Sequence, residues 1–140
     1  MKKTQTLINA PITSTIAGLG HTDFLTIADA GLPIPPQTAR IDLALTRGIP
    51  SFLDTLKIVL SEMYVEKAIL AEEIMSYSPT MAEEIKKILS DVPIEMIPHV
   101  EFKKMSEQSR AIIRTGEFTP YANIHLVAGA WGFTLSKHKE

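Results

Sequence analysis

The sequence predicts an α/β fold in which helices pack against a mainly parallel sheet. Short apolar runs, such as residues 24–28 and 124–128, alternate along the chain with segments of helical periodicity. No repeat, low-complexity tract or linker divides the 140 residues. A single domain over residues 1–140 is therefore expected, with residues 136–140 as a frayed tail.

The first elements are a helix and two strands. Residues 8–19 are predicted to form an opening helix that Pro11 breaks and Gly18 helps to end. The apolar residues 24–28 form a short buried strand. A second strand, 41–45, follows a loop that contains three prolines.

A capped amphipathic helix is expected next. Ser51 and Asp54 are spaced as a capping box at the start of residues 51–64. The apolar residues of this segment recur at helical spacing. They are Phe52, Leu56, Val59, Leu60 and Met63. Residues 67–71 are predicted to be the third strand.

The second half of the chain repeats the alternation. Pro79–Leu89 is predicted as a helix with Ser78 as its cap. Residues 93–97 read as a strand, and residues 101–110 as a short polar helix. The last two strands are expected at residues 111–114 and 124–128.

Composition excludes several classes of protein. The net charge is −2, and Lys and Arg are scattered, which argues against a nucleic-acid partner. The absence of Cys excludes disulfides and thiolate metal sites. No apolar run reaches the roughly 18 residues of a membrane span, and the N-terminus is a poor signal peptide. A soluble cytoplasmic protein is expected.

Polar side chains that suit a small ligand cluster where strands begin or end. Asp29 follows the first strand, and His99 follows strand 93–97. Tyr121 and Asn123 lie in the turn before the last strand. Ligands of open α/β sheets bind at the carboxyl ends of strands, so these residues are expected to converge.

His21 is the candidate for proton transfer, since imidazole titrates near neutral pH. It follows Gly20, where the backbone can turn; a histidine that caps or packs at a helix end is an equal alternative. Asp29 can orient His21, bind sugar hydroxyls or cap its turn.

The other candidates also have structural alternatives. His99 precedes a helix, where the dipole disfavours its cation, but it also fits a surface loop. Lys103, four residues later, can approach the same pocket or stay exposed. Tyr121 and Asn123 offer a phenol and an amide suited to sugars, or simple turn chemistry.

Metal, cofactor and serine-hydrolase signals are weak. Gly18-Leu19-Gly20 begins like a dinucleotide loop, but Asp23 stands at the third glycine position and a strand follows. The four histidines lack zinc-ligand spacing, and no nucleophile elbow is present. No metal and no cofactor are expected.

Five segments together resemble the D-ribose pyranase family, whose sister branch is the L-fucose mutarotases. They are LGHTD (19–23), ADAGLPIP (28–35), RID (40–42), His99 with EFK (101–103), and IRTGE (113–117) leading into TPYAN (119–123). Their order and spacing extend the resemblance over nearly the whole chain, from Leu7 to about Phe133.

The resemblance implies a fold, a reaction and roles for residues. The fold is a three-layer α/β/α sandwich, assembled into a ring-shaped homodecamer with pockets at subunit contacts. The reaction interconverts cyclic forms of D-ribose, feeding its kinase, with a mutarotase or a non-catalytic sugar-binding module as alternatives. His21 is the implied proton donor, and Asp29, His99 and the segment Tyr121-Ala122-Asn123 contact the sugar.

Two features depart from the family pattern. Val100 stands where the family often has an acidic residue after its histidine. Trp131 and Phe133, near the end of the chain, are candidate anchors of a subunit interface or parts of the core.

Overall fold

A six-stranded sheet organises the chain in the computed structural model, which describes residues 1–130. In chain order the elements are α1 (Ala10–Gly18), β1 (Phe24–Ala28), β2 (Arg40–Asp42), α2 (Phe52–Leu60), β3 (Val65–Ala71), α3 (Ile74–Tyr77), α4 (Pro79–Leu89), β4 (Ile94–Ile97), α5 (His99–Met105), β5 (Ile112–Arg114) and β6 (Ile124–Ala128). A 3-10 turn, Ser106–Gln108, follows α5.

The strand order is β2-β5-β1-β6-β3-β4. The pairs β1–β5, β2–β5 and β3–β4 are parallel, and β6 is antiparallel to both β1 and β3. Five strands therefore point the same way, as the prediction of a mainly parallel sheet requires. We call the edge where these five strands end the carboxyl edge, and the edge where they begin the amino edge. Because β6 is reversed, it begins at the carboxyl edge.

Helices cover both faces of the sheet, which confirms the α/β/α layering. Side chains alternate between the faces of each strand. Leu25 and Ile27 of β1 therefore belong to the cluster that α1, α2 and α4 cover. Phe24 and Ala28 belong to a smaller cluster beneath Phe102 of α5.

The opening helix is shorter than predicted and is not broken by its proline. Asn9 caps α1, and its side-chain oxygen accepts a hydrogen bond from the Ile12 N–H at 2.9 Å. Pro11 then falls in the first turn, where a helix needs no N–H donor. The prediction that Pro11 breaks the helix is wrong for this reason.

Two further boundaries differ for identifiable reasons. The strand predicted over 41–45 ends at Asp42, whose carboxylate accepts a hydrogen bond from the Ala44 N–H and turns the chain. Helix α4 begins at Pro79 as expected, but Ser78 does not cap it. The Ser78 hydroxyl donates instead to the Pro120 carbonyl at 2.7 Å, tying the helix start to the loop before β6.

Other helices lie where the sequence predicts them but differ from the prediction in length. Ser51 caps α2 by accepting a hydrogen bond from the Asp54 N–H, but the helix ends at Leu60. The helix predicted over 101–110 begins already at His99 and ends at Met105. The one-turn helix α3 was not predicted.

Some predictions lie outside the described residues. They concern Trp131, Phe133 and the tail 136–140. Within residues 1–130, no helix is both long and apolar enough to cross a membrane.

Candidate active site

Asp29 and Asn123 hold each other at the carboxyl edge. The Asn123 side-chain oxygen accepts a hydrogen bond from the Asp29 N–H at 2.8 Å, and its amide nitrogen donates to Asp29 Oδ2 at 3.2 Å. The Gly31 N–H donates to Asp29 Oδ1 at 3.0 Å. Asn123 is only 1% exposed. Its amide therefore fixes the position of the carboxylate.

The surroundings of Asp29 alter its proton affinity. Burial raises the pKa of Asp29 above its ordinary value, against the lowering effect of the hydrogen bonds from Gly31 and Asn123. A carboxylate that is partly desolvated and rigidly held is a strong acceptor for a ligand hydroxyl.

His99 begins α5 next to this pair. Both oxygens of the Glu73 carboxylate accept hydrogen bonds from the His99 backbone N–H, at 3.0 and 3.1 Å. These bonds anchor the start of the helix. The His99 ring meets the Tyr121 ring edge-on, with centroids 4.9 Å apart. Sequence reasoning did not find Glu73; its position just after β3, at the same edge, is the signal that was available.

The surroundings of the His99 ring disfavour its protonated form. Burial lowers its pKa, and the nearby Lys103 charge lowers it further, while Glu73 and Asp29 oppose the shift. Nδ1 of His99 is buried and has no hydrogen-bond partner among the described residues. Lys103 itself is exposed.

The loop before β6 combines strain with burial. Tyr121 has φ 64°, a left-handed conformation uncommon outside glycine. Ala122 is fully buried. Strained residues cluster at binding sites, where the fold holds them in place. The three residues 121–123 thus place an aromatic ring, a backbone segment and an amide at the carboxyl edge.

Glu117 links the loops of this edge and was not among the predicted site residues. Its carboxylate accepts hydrogen bonds from the Phe52 N–H at 2.9 Å and the Thr119 hydroxyl at 2.7 Å. Burial alone would raise the pKa of Glu117, but these bonds hold it below its ordinary value. A cavity of about 350 Å³ opens beside it. Asp29, Ala30, Gly31, Arg114, Glu117 and Phe118 line this cavity.

Gly116 explains how Glu117 comes so close to the loop that precedes α2. A Cβ at this position would lie 2.4 Å from the Thr46 carbonyl oxygen and 2.5 Å from that of Ile49. Only glycine allows the two backbones to approach this closely.

His21 lies at the amino edge, away from the other candidates. It precedes β1, whereas Asp29 follows it, and a five-residue strand spans about 17 Å. Asp29 therefore cannot orient His21 of the same chain. His21 Nε2 instead lies 2.8 Å from Glu66 Oε1.

His125 is buried in the centre of the sheet. Its ring stacks on Phe102 at 3.7 Å, and its Nε2 hydrogen-bonds the Phe102 carbonyl at 3.1 Å. Nδ1 pairs with the Thr26 hydroxyl at 2.7 Å. Burial lowers the pKa of His125 to about 4. Its role is to hold α5, which carries His99, on the sheet.

Metal ligands do not gather in the described part of the chain. Within residues 1–130, no group of three or more His, Asp or Glu side chains is arranged to hold an ion.

Comparison with known proteins agrees with this architecture. The model of the RbsD / FucU transport protein family matches residues 1–131. The chain belongs to this family. A D-ribose pyranase of Coprothermobacter proteolyticus is 54% identical over 129 residues, covering 92% of this chain and 98% of the relative.

Solved structures of the family share the fold. RbsD of Bacillus subtilis, complexed with D-ribose, is 45% identical with a TM-score of 0.90, covering 93% of this chain and 98% of that chain. The fucose mutarotase of Streptococcus pneumoniae, in complex with L-fucose, is 23% identical with a TM-score of 0.67. That alignment covers 88% of this chain and 94% of the other, and it supports the fold alone.

Proposed function

We propose that this chain is a D-ribose pyranase, an isomerase that interconverts the pyranose and furanose forms of D-ribose. The family relationship supports the reaction, since a relative with that name is 54% identical and the B. subtilis protein was solved with D-ribose. The observation that carries the proposal is the braced Asp29–Asn123 pair beside the His99 and Tyr121 rings. Fixed oxygens and N–H groups next to aromatic faces suit a sugar.

The reaction needs two proton movements and no redox step. Ring opening takes a proton from the anomeric hydroxyl and delivers one to the ring oxygen, and closure on another hydroxyl reverses these roles. A titratable imidazole can do both, with a contribution of about 10²–10⁴-fold. In our proposal His21 moves the protons. Asp29, His99 and the segment Tyr121-Ala122-Asn123 hold the hydroxyls, and Lys103 supports the pocket.

In our proposal a second copy of the chain supplies His21, because the two edges lie a whole strand apart in one chain. Exposed apolar side chains surround the carboxyl edge and suit a subunit contact. They include Tyr77, Val100 and Phe118. The ring-shaped homodecamer that the family resemblance implies would bring an amino edge to a carboxyl edge. Light scattering tests the assembly, and a monomer at assay concentration would contradict it.

The deciding experiment measures exchange between ribose forms by NMR, with and without protein. We expect the wild-type chain to accelerate exchange between pyranose and furanose, and His21→Ala to lose about 10²-fold or more of that acceleration. Exchange that stays at the uncatalysed rate with wild-type protein would contradict the function. Acceleration that survives in His21→Ala would remove His21 from the mechanism.

Two alternatives are tested in the same experiment. A mutarotase for L-fucose or another aldose would act on that sugar faster than on ribose. The fucose mutarotase structure is only 23% identical and therefore supports a shared fold, not a shared substrate. The family description includes transport, which suits a sugar-binding accessory protein. Such a protein would bind ribose without changing the exchange rate. For a pyranase that supplies a sugar kinase, we propose a cytoplasmic location.

A further inference from the structure

A β-bulge aims Glu66 at the turn that carries His21. In the pairing of β3 with β6, Val65 lies opposite Ala128 and Lys67 lies opposite Val127. Two steps along β3 thus match one step along β6, and Glu66 is the extra residue. Bulges redirect a side chain that a regular strand would point elsewhere, and they are frequent next to active sites.

The contact that results is short and crosses the end of β6. Strands β1 and β3 flank β6, so the start of β3 lies near the turn before β1. Glu66 Oε1 reaches His21 Nε2 at 2.8 Å, although the two residues are 45 positions apart in the chain. This distance is within the range of a charge-assisted hydrogen bond.

Gly129, just after β6, leaves room for this arrangement. A Cβ on Gly129 would lie 3.2 Å from the Glu66 Cβ and 2.7 Å from Cδ1 of Tyr64. The Gly129 N–H donates to the Tyr64 carbonyl at 2.9 Å, which locks the two segments together. A larger residue would therefore crowd the Tyr64 ring and the Glu66 Cβ.

The backbone around His21 is fixed as well. The Gly20 N–H donates to Asp23 Oδ2 at 2.8 Å, and the Thr22 N–H donates to the Ala128 carbonyl at 3.0 Å. Thr22 adopts φ 75°, an outlier for a β-branched residue. With its backbone held, His21 keeps mainly the rotation of its side chain, and the Glu66 carboxylate restricts that rotation.

The geometry points to Glu66 as the positioning residue of His21, an inference that rests on the proposed function. The carboxylate accepts a hydrogen bond from the Nε2–H group of His21. This bond selects one tautomer and one orientation of the ring. It also stabilises the imidazolium that forms when His21 takes a proton from a sugar hydroxyl. The proton that His21 takes up is then delivered to the ring oxygen of the sugar. The same logic operates wherever a third group orients a catalytic base.

Variants of Glu66 test the inference through kinetics. We expect Glu66→Ala to lower kcat about 10- to 100-fold with KM within about twofold, because general acid–base catalysis suffers while sugar binding at the other edge does not. Glu66→Gln keeps an oxygen that can accept a hydrogen bond from Nε2–H of His21. This variant should therefore recover part of the lost kcat. Glu95→Ala is the matched control. Glu95 is an exposed strand carboxylate paired with Lys67 at 3.6 Å, and its loss should leave kcat unchanged.

A double-mutant cycle separates positioning from mere structure. In a His21→Ala background, Glu66→Ala should cause no further loss, since the residue it positions is gone. An equal loss in both backgrounds, or a wild-type kcat for Glu66→Ala, would overturn the inference.

A readout without activity keeps this inference apart from the proposed function. The ¹⁵N spectrum of the His21 ring should show the Nε2–H tautomer in wild type and a tautomer mixture in Glu66→Ala. Identical spectra would refute the positioning role even if ribose exchange is catalysed. Conversely, the expected spectral change with no ribose exchange in wild type would refute only the function.

Discussion

Asn123 and Asp29 share two hydrogen bonds across the carboxyl edge, at 2.8 and 3.2 Å, and both partners lie in loops rather than in strands. Replacing Asn123 by Ala leaves the Asp29 N–H without its acceptor in a buried place. We expect a loss of about 1–3 kcal/mol in the free energy of unfolding and a KM for ribose raised about tenfold or more. Urea unfolding and NMR exchange kinetics measure the two effects. An unchanged KM would show that Asn123 does not hold Asp29 for the sugar.

The raised pKa of Asp29 predicts an acid limit for ribose binding. A carboxylate accepts hydrogen bonds from sugar hydroxyls only while it is ionised, so affinity should fall as the pH drops through this raised pKa. KM measured between about pH 4 and 8 should therefore rise at the acid end, earlier than an ordinary Asp near pKa 3.9 would allow. Asp29→Asn should bind weakly at every pH. A wild-type KM that is flat down to pH 4 would contradict the prediction.

Complementation between inactive variants tests whether the site spans two copies. His21→Ala and Asp29→Ala should each be inactive alone. Mixed assemblies should recover about one quarter of wild-type activity, because random pairing sets an intact His21 against an intact Asp29 in about one site in four. If the mixture is no more active than either variant alone, the site does not combine His21 of one chain with Asp29 of another. Either one chain supplies both residues, or His21 takes no part in the reaction.

His125 makes stability depend on pH in a defined direction. Its folded-state pKa of about 4 lies below the ordinary value of 6.5, so between these values the unfolded chain binds more protons. Stability should thus be fully present above pH 6.5 and decline as the pH falls toward 4, by up to about 3 kcal/mol.

His125→Gln removes this titration and serves as the reference for that measurement. The difference in unfolding free energy between wild type and variant, at one protein concentration, should shrink from pH 7.5 to pH 4.5. Parallel pH curves for the two proteins would show that His125 does not carry the effect.

Much of the fold follows from local patterns. Strands β1 and β6 and helix α4 have the predicted bounds, because five mostly apolar residues between turn formers leave few alternatives and Pro79 marks a helix start. The direction of β6 was not predictable in the same way. A fully buried strand of either direction has the same apolar composition, so only tertiary pairing decides it.

The candidate site was predicted in part. Asp29, His99 and Asn123 meet because strand ends share an edge, a rule that needs only the order of elements. The distance of His21 from Asp29 was also implicit, since a whole strand separates them. The contact of Glu66 with His21 could not be predicted from the sequence. No residue pattern shows where a bulge interrupts the pairing of two strands about 60 positions apart.

Strand β6 has polar clusters at both of its ends. Asn123 precedes it and contacts Asp29, and Gly129 follows it and makes room for Glu66. A slip of β6 by a single residue would turn His125 to the opposite face and pull both clusters out of line together. An insertion or deletion within these five residues would thus disturb both clusters at once, even though none of the five faces the sugar in our proposal.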